Sequence, residues 1–447
     1  MTSIDWLRLS PQSFVQALGE QGIERFYLVW DRDAGRVRAS HPVLEPLAAL
    51  LEGDRRDFDH HEGFFAQVGP TSGVLQAAAV HRTCRGQAAG GVRYWHYDTV
   101  EDLIRDGLRL ARGMTLKNAL AGLWWGGGKG VMARNSGAAS ADPGYRRRVY
   151  QDYGAFISSL RGCYVTAEDV GTSVEDMAAV FSRTRFTTCI PPELGGSGNP
   201  SVPTALGVVR GMEAALEHLG RGGLAGKTVA IQGLGHVGEP LIGFLQERGV
   251  ARVIGADLDP RRPVALRRLY PELEMDLRTV ERGDLSILAA EADVLAPCAT
   301  GGILSPATIP GIRAPVVCGA ANNQLEDDQR DDLALAERGV LYMPDFLVNR
   351  MGIVNCADEP FGSVDQDPAF EAHLGDQWEN SIYRLGLAVL EEAARRQLPP
   401  ARVALEIAER RSLEEHPIWG HRGRLIIDSL VAGGWASSPA GTAPEAG

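Results

Sequence analysis

The chain has 447 residues, 44% hydrophobic and 23% charged, which is ordinary for a globular protein of two or three domains. Its formal net charge of −12 excludes a phosphate-backbone-binding surface as the main function, so no nucleic acid partner is expected. No apolar run reaches the roughly 18 residues of a membrane span, and the N-terminus MTSIDWLRLS lacks the apolar stretch of a signal peptide. The six cysteines form no C-x-x-C pair, and no histidine cluster has zinc-ligand spacing. The expectation is a cytoplasmic protein with reduced thiols and no metal.

In chain order, residues 1–57 combine an apolar stretch (Phe26 to Trp30) with a charged one, and they read as an extension before the main domain. From Phe64 to Val80, short apolar runs broken by Gly, Pro and Ser predict strands and turns. Glu101 to Leu123 predicts a helix: Ile104, Leu108 and Ala111 form one stripe, and Leu103, Leu110 and Met114 its neighbour. The tract WWGGGKGV then stops it. Ser136 to Gly144 reads as a loop, Tyr150 to Leu160 as a helix, and Cys163 to Thr166 as a strand. Gly195 to Thr204, GGSGNPSVPT, is the candidate interdomain hinge. A helix, strand, glycine loop, helix and strand follow, the pattern of a βαβ unit. The expected division is a first domain over 58–202, a second over 203–365, C-terminal helices over 366–432 and a disordered tail over 433–447.

The glycine loop carries a recognisable chemistry. The strand Thr228 to Gln232 runs into Gly233-Leu-Gly235-His236-Val237-Gly238, a G-x-G-x-x-G, and a second strand ends in Asp257 about twenty residues on. Gly233 permits the tight turn, Gly235 lets backbone approach a pyrophosphate, and Gly238 lets helix and strand pack closely. The following helix N-terminus offers free N–H groups to the phosphates. Asp257 can accept hydrogen bonds from a ribose and repels a 2′-phosphate, favouring NAD over NADP. Arg261 and Arg262 follow closely and could accommodate a 2′-phosphate, but the preferred reading is the solvated start of the next helix.

The first domain holds two lysines in unusual settings: Lys117 near the end of the predicted helix and Lys129 within GGGKG. Glycines beside a lysine permit close approach by a ligand. Asp169 follows a predicted strand in TAEDVGTS. Ammonium groups held close together or desolvated titrate lower, and a lysine so tuned can act as a base near neutral pH. A neighbouring carboxylate can shuttle the proton.

The tracts GGVRYW, RLARGMTLKNALAGL, GGGKG, TAEDVGTSVEDM, GGSGNPSVPTALGV, GLGHVG, APCATGGI, NNQL, PDFLVN and GIVNCADE run in this order from Gly90 to Glu359. Together they resemble the glutamate/leucine/phenylalanine/valine dehydrogenase family, and the leucine and phenylalanine members most. The resemblance implies an α/β, two-domain amino acid dehydrogenase fold. In it, an N-terminal α/β domain for substrate binding and dimerisation faces a Rossmann NAD-binding domain across a cleft. It further implies NAD-dependent, reversible oxidative deamination of an L-amino acid, in a homo-oligomer assembled through the first domain.

By motif match, Lys117 would bind the substrate carboxylate, Lys129 would activate water and Asp169 would relay protons. Gly90 and Gly91 would line the substrate site. Thr204 and Asn323 would sit by the nicotinamide and the substrate. The cofactor would lie along Gly233, Gly235, His236, Val237, Gly238 and Asp257, with Ala299 and Thr300 beside it. Side-chain pocket positions would be Ala89, Ala167, Ile353 and Cys356. Glutamate-specific relatives carry a lysine where this chain has Ala89, so an apolar substrate, branched-chain or aromatic, is expected.

Three tracts depart from the family pattern. Arg350-Met351 replaces a small residue and a glycine, which could reshape the pocket and admit a modified biosynthetic substrate instead. Trp124-Trp125 is bulkier than usual and reads as core packing. Gly91-Val-Arg-Tyr replaces the usual Gly-Thr-Arg-Met. A non-catalytic NAD-binding relative is the third reading, opposed by the intact Lys117, Lys129 and Asp169.

Overall fold

The computed structural model describes residues 4–134, 142–362 and 364–440. Its first sheet starts close to the N-terminus. Helix α1 (Pro11–Glu20) is capped by Ser10, whose hydroxyl accepts the Ser13 N–H. Strands β1 (Arg25–Asp31) and β2 (Arg36–Ala39) form a hairpin, followed by helix α2 (Glu45–Gly53). β1 then pairs antiparallel with β3 (Gly63–Val68), and β3 with β4 (Leu75–Arg82).

Residues 1–57, expected as a separate extension, thus supply one edge of the sheet. The reason lies in the run Phe26 to Trp30, which is apolar on both faces. Phe26 and Leu28 pack into one core layer, and Tyr27 and Val29 into the layer on the opposite face.

The sheet continues through β5 (Ala88–Ala89), β6 (Val92–Trp95), β7 (Gly126–Ala133) and β8 (Tyr164–Val165). Its order is β2-β1-β3-β4-β7-β5-β8, with β6 on β7. Helix α3 (Val100–Ala121) lies across it. A capping box between Thr99 and Asp102 starts α3, and Gly122, at φ 77°, ends it. Helices α4 (Pro143–Ser159) and α5 (Val174–Phe181) cover the other face. The loop expected at Ser136 to Gly144 falls mostly outside the described residues.

The second sheet has six strands, all parallel. Helix α6 (Ser201–His218) leads to β9 (Thr228–Gln232), α7 (Gly238–Glu247), β10 (Arg252–Asp257), α8 (Arg261–Leu269) and β11 (Glu274–Thr279). Strands β12 (Val294–Pro297) and β13 (Val316–Val317), helix α9 (Asp331–Glu337) and β14 (Leu341–Tyr342) complete it. The order β11-β10-β9-β12-β13-β14 is that of a doubly wound dinucleotide-binding sheet. Its switch point lies between β9 and β12, where ligands bind in such sheets. Val229, Ala230 and Ile231 of central β9 are fully buried, as a strand covered on both faces requires.

Helices α10 (Asp345–Val348) and α11 (Met351–Asp358) lead out of this domain. α12 (Pro368–Leu374), α13 (Ile382–Arg396), α14 (Pro400–Ser412) and α15 (Arg422–Ala432) follow. α13 rests on α6, whereas α14 reaches α3 and α15 delivers Ile427 and Leu430 to the core of the first sheet.

The tail expected from 433 onward begins with an anchor. Trp435 is 1% exposed, donates from Nε1 to Ser159 Oγ at 3.0 Å, and meets Phe65 edge-on at 5.4 Å. Composition hid this, because a single tryptophan among Gly, Ser, Ala and Pro barely moves an average. Residues 441–447 lie outside the described residues. Removing a buried aromatic side chain of this size costs about 3–5 kcal/mol. Trp435→Ala is therefore expected to lower the denaturation midpoint clearly in urea or heat, and an unchanged midpoint would contradict the anchoring.

Candidate active site

The glycines of β7 decide how closely its neighbours approach. A Cβ on Gly127 would lie 2.0 Å from Thr115 Oγ1 and 2.2 Å from Thr115 N, so α3 rests directly on the strand. One on Gly128 would enter the Tyr164 ring at 2.6 Å, and one on Gly130 would meet the Tyr153 hydroxyl at 2.0 Å. These glycines therefore admit protein neighbours, which corrects the expectation that they open space for a ligand. The lysine between them keeps its side chain. Gly127 and Lys129 share one face of the strand by the period of two, and that face carries α3 with Lys117.

Lys129 Nζ lies 2.9 Å from Asp169 Oδ2, and Arg93 Nε lies 3.5 Å from the same oxygen. Arg93 also grips both oxygens of Asp106 at 3.0 and 3.1 Å, and the Tyr97 hydroxyl donates to Asp106 at 2.8 Å. Burial pulls the Lys129 ammonium below its ordinary value, with Asp169 opposing and Arg93 assisting. Burial would raise the Asp169 carboxyl, but Lys129 and Arg93 outweigh it and hold Asp169 well below the carboxylate range. Its neighbour Glu168 is pushed up to about 7 by burial and by the Asp169 charge.

Lys117 is 8% exposed and donates to Asn322 Oδ1, which belongs to the second domain, at 2.9 Å. Burial lowers its ammonium to about 8, opposed by Asp345 and assisted by Lys129. Asn349 Nδ2 donates to the same Asn322 oxygen at 2.9 Å. Asn323 stands at φ 52°, and Asp345 Oδ2 accepts its N–H at 2.7 Å. A cleft of about 1070 Å³ separates the domains here, with Arg93, Met114, Lys117, Lys129, Asn323 and Asp345 among its walls.

Of the other expected substrate residues, Gly90 abuts Gly128 and Met114, and Gly91 abuts Glu168 and the Asp169 Cβ, so both lie beside the lysine and aspartate cluster. Ala167, Ile353, Cys356 and Met114 share one apolar cluster, and Ala89 is 1% exposed in the adjoining strand β5. Cys356 Sγ lies 3.1 Å from Cys189 Sγ. Thr204 stands in the first turn of α6, donates to the Pro200 carbonyl at 2.8 Å and leaves no room for a side chain at Gly352.

The two departures that threatened this pocket point elsewhere. Arg350 is fully buried and donates to the Leu120 carbonyl at the end of α3 at 2.8 Å, and to the Asn380 carbonyl. Met351 is fully buried in the core of the second domain. Trp124, read as core, is instead 42% exposed and stacks on the Arg85 guanidinium at 4.2 Å. Trp125 packs against the core of the first sheet.

The nucleotide loop has the shape its glycines require. Gly233 stands at φ 92°, and a Cβ there would strike the Ala299 Cβ at 2.6 Å. One on Gly238 would strike the Gly233 carbonyl oxygen at 2.1 Å, whereas one on Gly235 would meet nothing within 4 Å. Gly235 therefore faces the open space a pyrophosphate needs. His236, Ala299 and Thr300 are exposed around that space, and Val237 is half-buried. Asp257 ends β10 and accepts the Leu234 N–H at 2.7 Å and the Asp259 N–H at 2.8 Å. Arg261 pairs with Asp259 and Arg262 with Glu239, so neither is held ready for a 2′-phosphate.

Sequence reasoning missed Arg93, Asp106, Asn322, Asp345 and Glu359. Arg93, Asn322, Asp345 and Glu359 stand inside quoted tracts, but only the folded chain shows where they point. Glu359 Oε2 accepts Ser197 N, Ser197 Oγ and Ile190 N at 2.7, 2.8 and 3.3 Å, tying together the two segments that cross between the domains.

Two family models match the chain: the Glu/Leu/Phe/Val dehydrogenase dimerisation domain over residues 70–186, and Glutamate/Leucine/Phenylalanine/Valine dehydrogenase over 195–258. The leucine dehydrogenase of Geobacillus stearothermophilus is 42% identical over 308 residues, covering 68% of this chain and 79% of that protein. The valine dehydrogenase of Streptomyces coelicolor is 40% identical over 360 residues, covering 80% and 93%. The crystal structure of L-tryptophan dehydrogenase from Nostoc punctiforme superposes with a TM-score of 0.60 at 34% identity, covering 79% and 96%. With its two-domain fold and this extent of identity, the chain belongs to the glutamate/leucine/phenylalanine/valine dehydrogenase family.

Proposed function

We propose that the protein is an NAD-dependent L-amino acid dehydrogenase that reversibly deaminates an apolar substrate to its 2-oxo acid and ammonia. The observation that carries this reading is the pair of buried lysines facing one cleft, with Asp169 at 2.9 Å from Lys129 and the nucleotide loop in the domain opposite. Lys117 supplies the fixed cation for the substrate carboxylate, exchanging Asn322 for it. Lys129, lowered by burial, takes a proton from the water that attacks the substrate imine carbon. Asp169 carries protons to and from the departing amino nitrogen. The loop of Gly233, Gly235 and Gly238 would hold the dinucleotide, whose nicotinamide would supply the hydride acceptor for the substrate α-carbon.

The apolar surroundings formed by Ala167, Ile353, Cys356 and Met114 support an apolar side chain, because a carboxylate there would be buried without a partner. The leucine, valine and tryptophan dehydrogenases among the similar proteins agree with that class. Arg350 and Met351, the motive for a modified substrate, both point away from the pocket. NAD is favoured because Asp257 closes β10 while Arg261 and Arg262 are engaged with other carboxylates. The match of residues 70–186 to a dimerisation domain supports a homo-oligomer built through the first domain.

A panel of L-amino acids tested with NAD and NADP checks the assignment. Reduced cofactor should form with branched-chain or aromatic substrates and NAD; no reduction with any member would end the proposal. Lys129→Ala should lower kcat by about 100- to 10,000-fold, the contribution of a positioned general base.

Lys117→Ala should instead act mainly through KM, by about 10- to 150-fold for one lost charge-assisted hydrogen bond of about 1.5–3 kcal/mol. The pH profile follows with opposite signs. Lys117 binds carboxylate only when protonated, so KM should rise as pH passes about 8. Lys129 acts only when neutral, so kcat should climb with pH. A KM that stays flat across that range would remove Lys117 from the carboxylate site.

A further inference from the structure

Outside the residues that line the cleft, three donor groups meet where the last long helix reaches the first sheet. Glu62 immediately precedes β3, Cys84 follows β4, and His421 stands just before α15. One carboxylate oxygen, one thiol sulfur and one imidazole nitrogen lie within 4.8 Å of one another. We propose that Glu62, Cys84 and His421 bind a divalent cation of the zinc class, with water as fourth ligand, and that this ion clamps α15 to the sheet.

The donor set is one zinc prefers. Bonds of about 2.0–2.3 Å in a tetrahedral site place ligand atoms about 3.3–3.7 Å apart, so closing on an ion needs a shift of about 1 Å. Glu62 Oε1 and His421 Nε2 already stand 2.8 Å apart.

The backbone around the three residues is fixed on each side. His416 N–H donates to the Cys84 carbonyl at 3.0 Å, and a bridge between His416 and Gly420 closes the turn before His421. Gly423 then lies so near Thr83 that a Cβ would come within 2.4 Å of it. The Thr83 hydroxyl donates to Glu62, orienting the carboxylate as outer partners of metal ligands do.

Glu62 is 3% exposed, while Cys84 and His421 are half-buried, which leaves an approach for the ion and its water. Arg32 lies 3.3 Å from Glu62 on a side chain 50% exposed, so it can turn to solvent as the ion takes over its charge. On binding, the Cys84 thiol and the His421 Nε2–H, which faces Glu62 at 2.8 Å, each give a proton to bulk water, and the thiolate sulfur and the freed Nε2 lone pair bond to the ion. No electron moves.

The test uses cobalt(II) as a probe on the full-length, chelator-treated protein. The expected result is a thiolate-to-cobalt charge-transfer band with four-coordinate visible bands, saturating at one ion per chain and displaced by zinc. Cys84→Ser should abolish the near-ultraviolet band while retaining the native circular dichroism. Thr83→Val, which removes only the orienting hydroxyl, should weaken zinc binding by about 10- to 100-fold. Zinc should raise the thermal midpoint of the wild-type chain and leave that of Cys84→Ser unchanged. The absence of a charge-transfer band, or an equal band in Cys84→Ser, would overturn the proposal.

Discussion

Helix α3 can rest on strand β7 only because the strand offers it backbone. Thr115 occupies the volume that any side chain at Gly127 would need, and a larger residue there would displace the helix rather than a rotamer. This contact fixes the distance between the helix bearing Lys117 and the strand bearing Lys129. The opposite face repeats the constraint, with Tyr164 and Tyr153 seated over Gly128 and Gly130. Tyr164 then donates to the Gly90 carbonyl and so steadies the segment that runs past Asp169. The glycine tract is a packing device, and the chemistry depends on it because both lysines are positioned by what the glycines allow.

Two lysines cannot be buried this way without compensation, since each desolvated charge costs several kcal/mol. Around Lys129 the account balances locally. Lys129 and Arg93 carry two positive charges, Asp169 and Asp106 two negative ones, and Tyr97 donates to the outer carboxylate. Lys117 has no such close carboxylate. Among the described residues its hydrogen-bond partner is a neutral amide from the other domain, with the Asp345 charge acting at longer range. This difference suits two roles. In the proposed function Arg93 still faces Asp169 when Lys129 gives up its proton, whereas the under-compensated Lys117 draws an incoming carboxylate.

Legibility in the sequence followed the range of the interactions. The nucleotide loop was readable because its constraints are local: Gly233, Gly235 and Gly238 each meet, or fail to meet, atoms of one βαβ unit and its neighbour strand. Lys117, Lys129 and Asp169 were readable as residues in tracts, but their meeting depends on pairings between β4, β6, β7 and α3 that no window contains. Arg350 shows the limit most plainly. Its position in the pattern pointed to the pocket, yet its guanidinium turns to the carbonyls of Leu120 and Asn380, because a helix end with free acceptors lies within reach. The N-terminal strands and Trp435 were missed for the same reason. Their partners are Phe64, Phe65 and Ser159, distant in sequence and invisible to composition.

The contacts that join the domains follow a single logic. Behind the cleft, Glu359 gathers Ser197 and Ile190 on one carboxylate oxygen, which ties the two crossing segments together. In front, Lys117 reaches Asn322, and Arg56 reaches the Glu326 carbonyl at 3.3 Å. Both are charge-assisted: at the rear the Glu359 carboxylate accepts from neutral donors, and at the front the Lys117 ammonium donates to a neutral amide. In the proposed function a substrate carboxylate competes for that ammonium with a full opposite charge, which the neutral Asn322 amide lacks. Lys117, one of these two cations that bridge the cleft, is thus the one the proposed function assigns to the substrate. In such an exchange Asn322 would keep its bond from Asn349, so its oxygen would not be stranded while the domains closed around a bound carboxylate and expelled water.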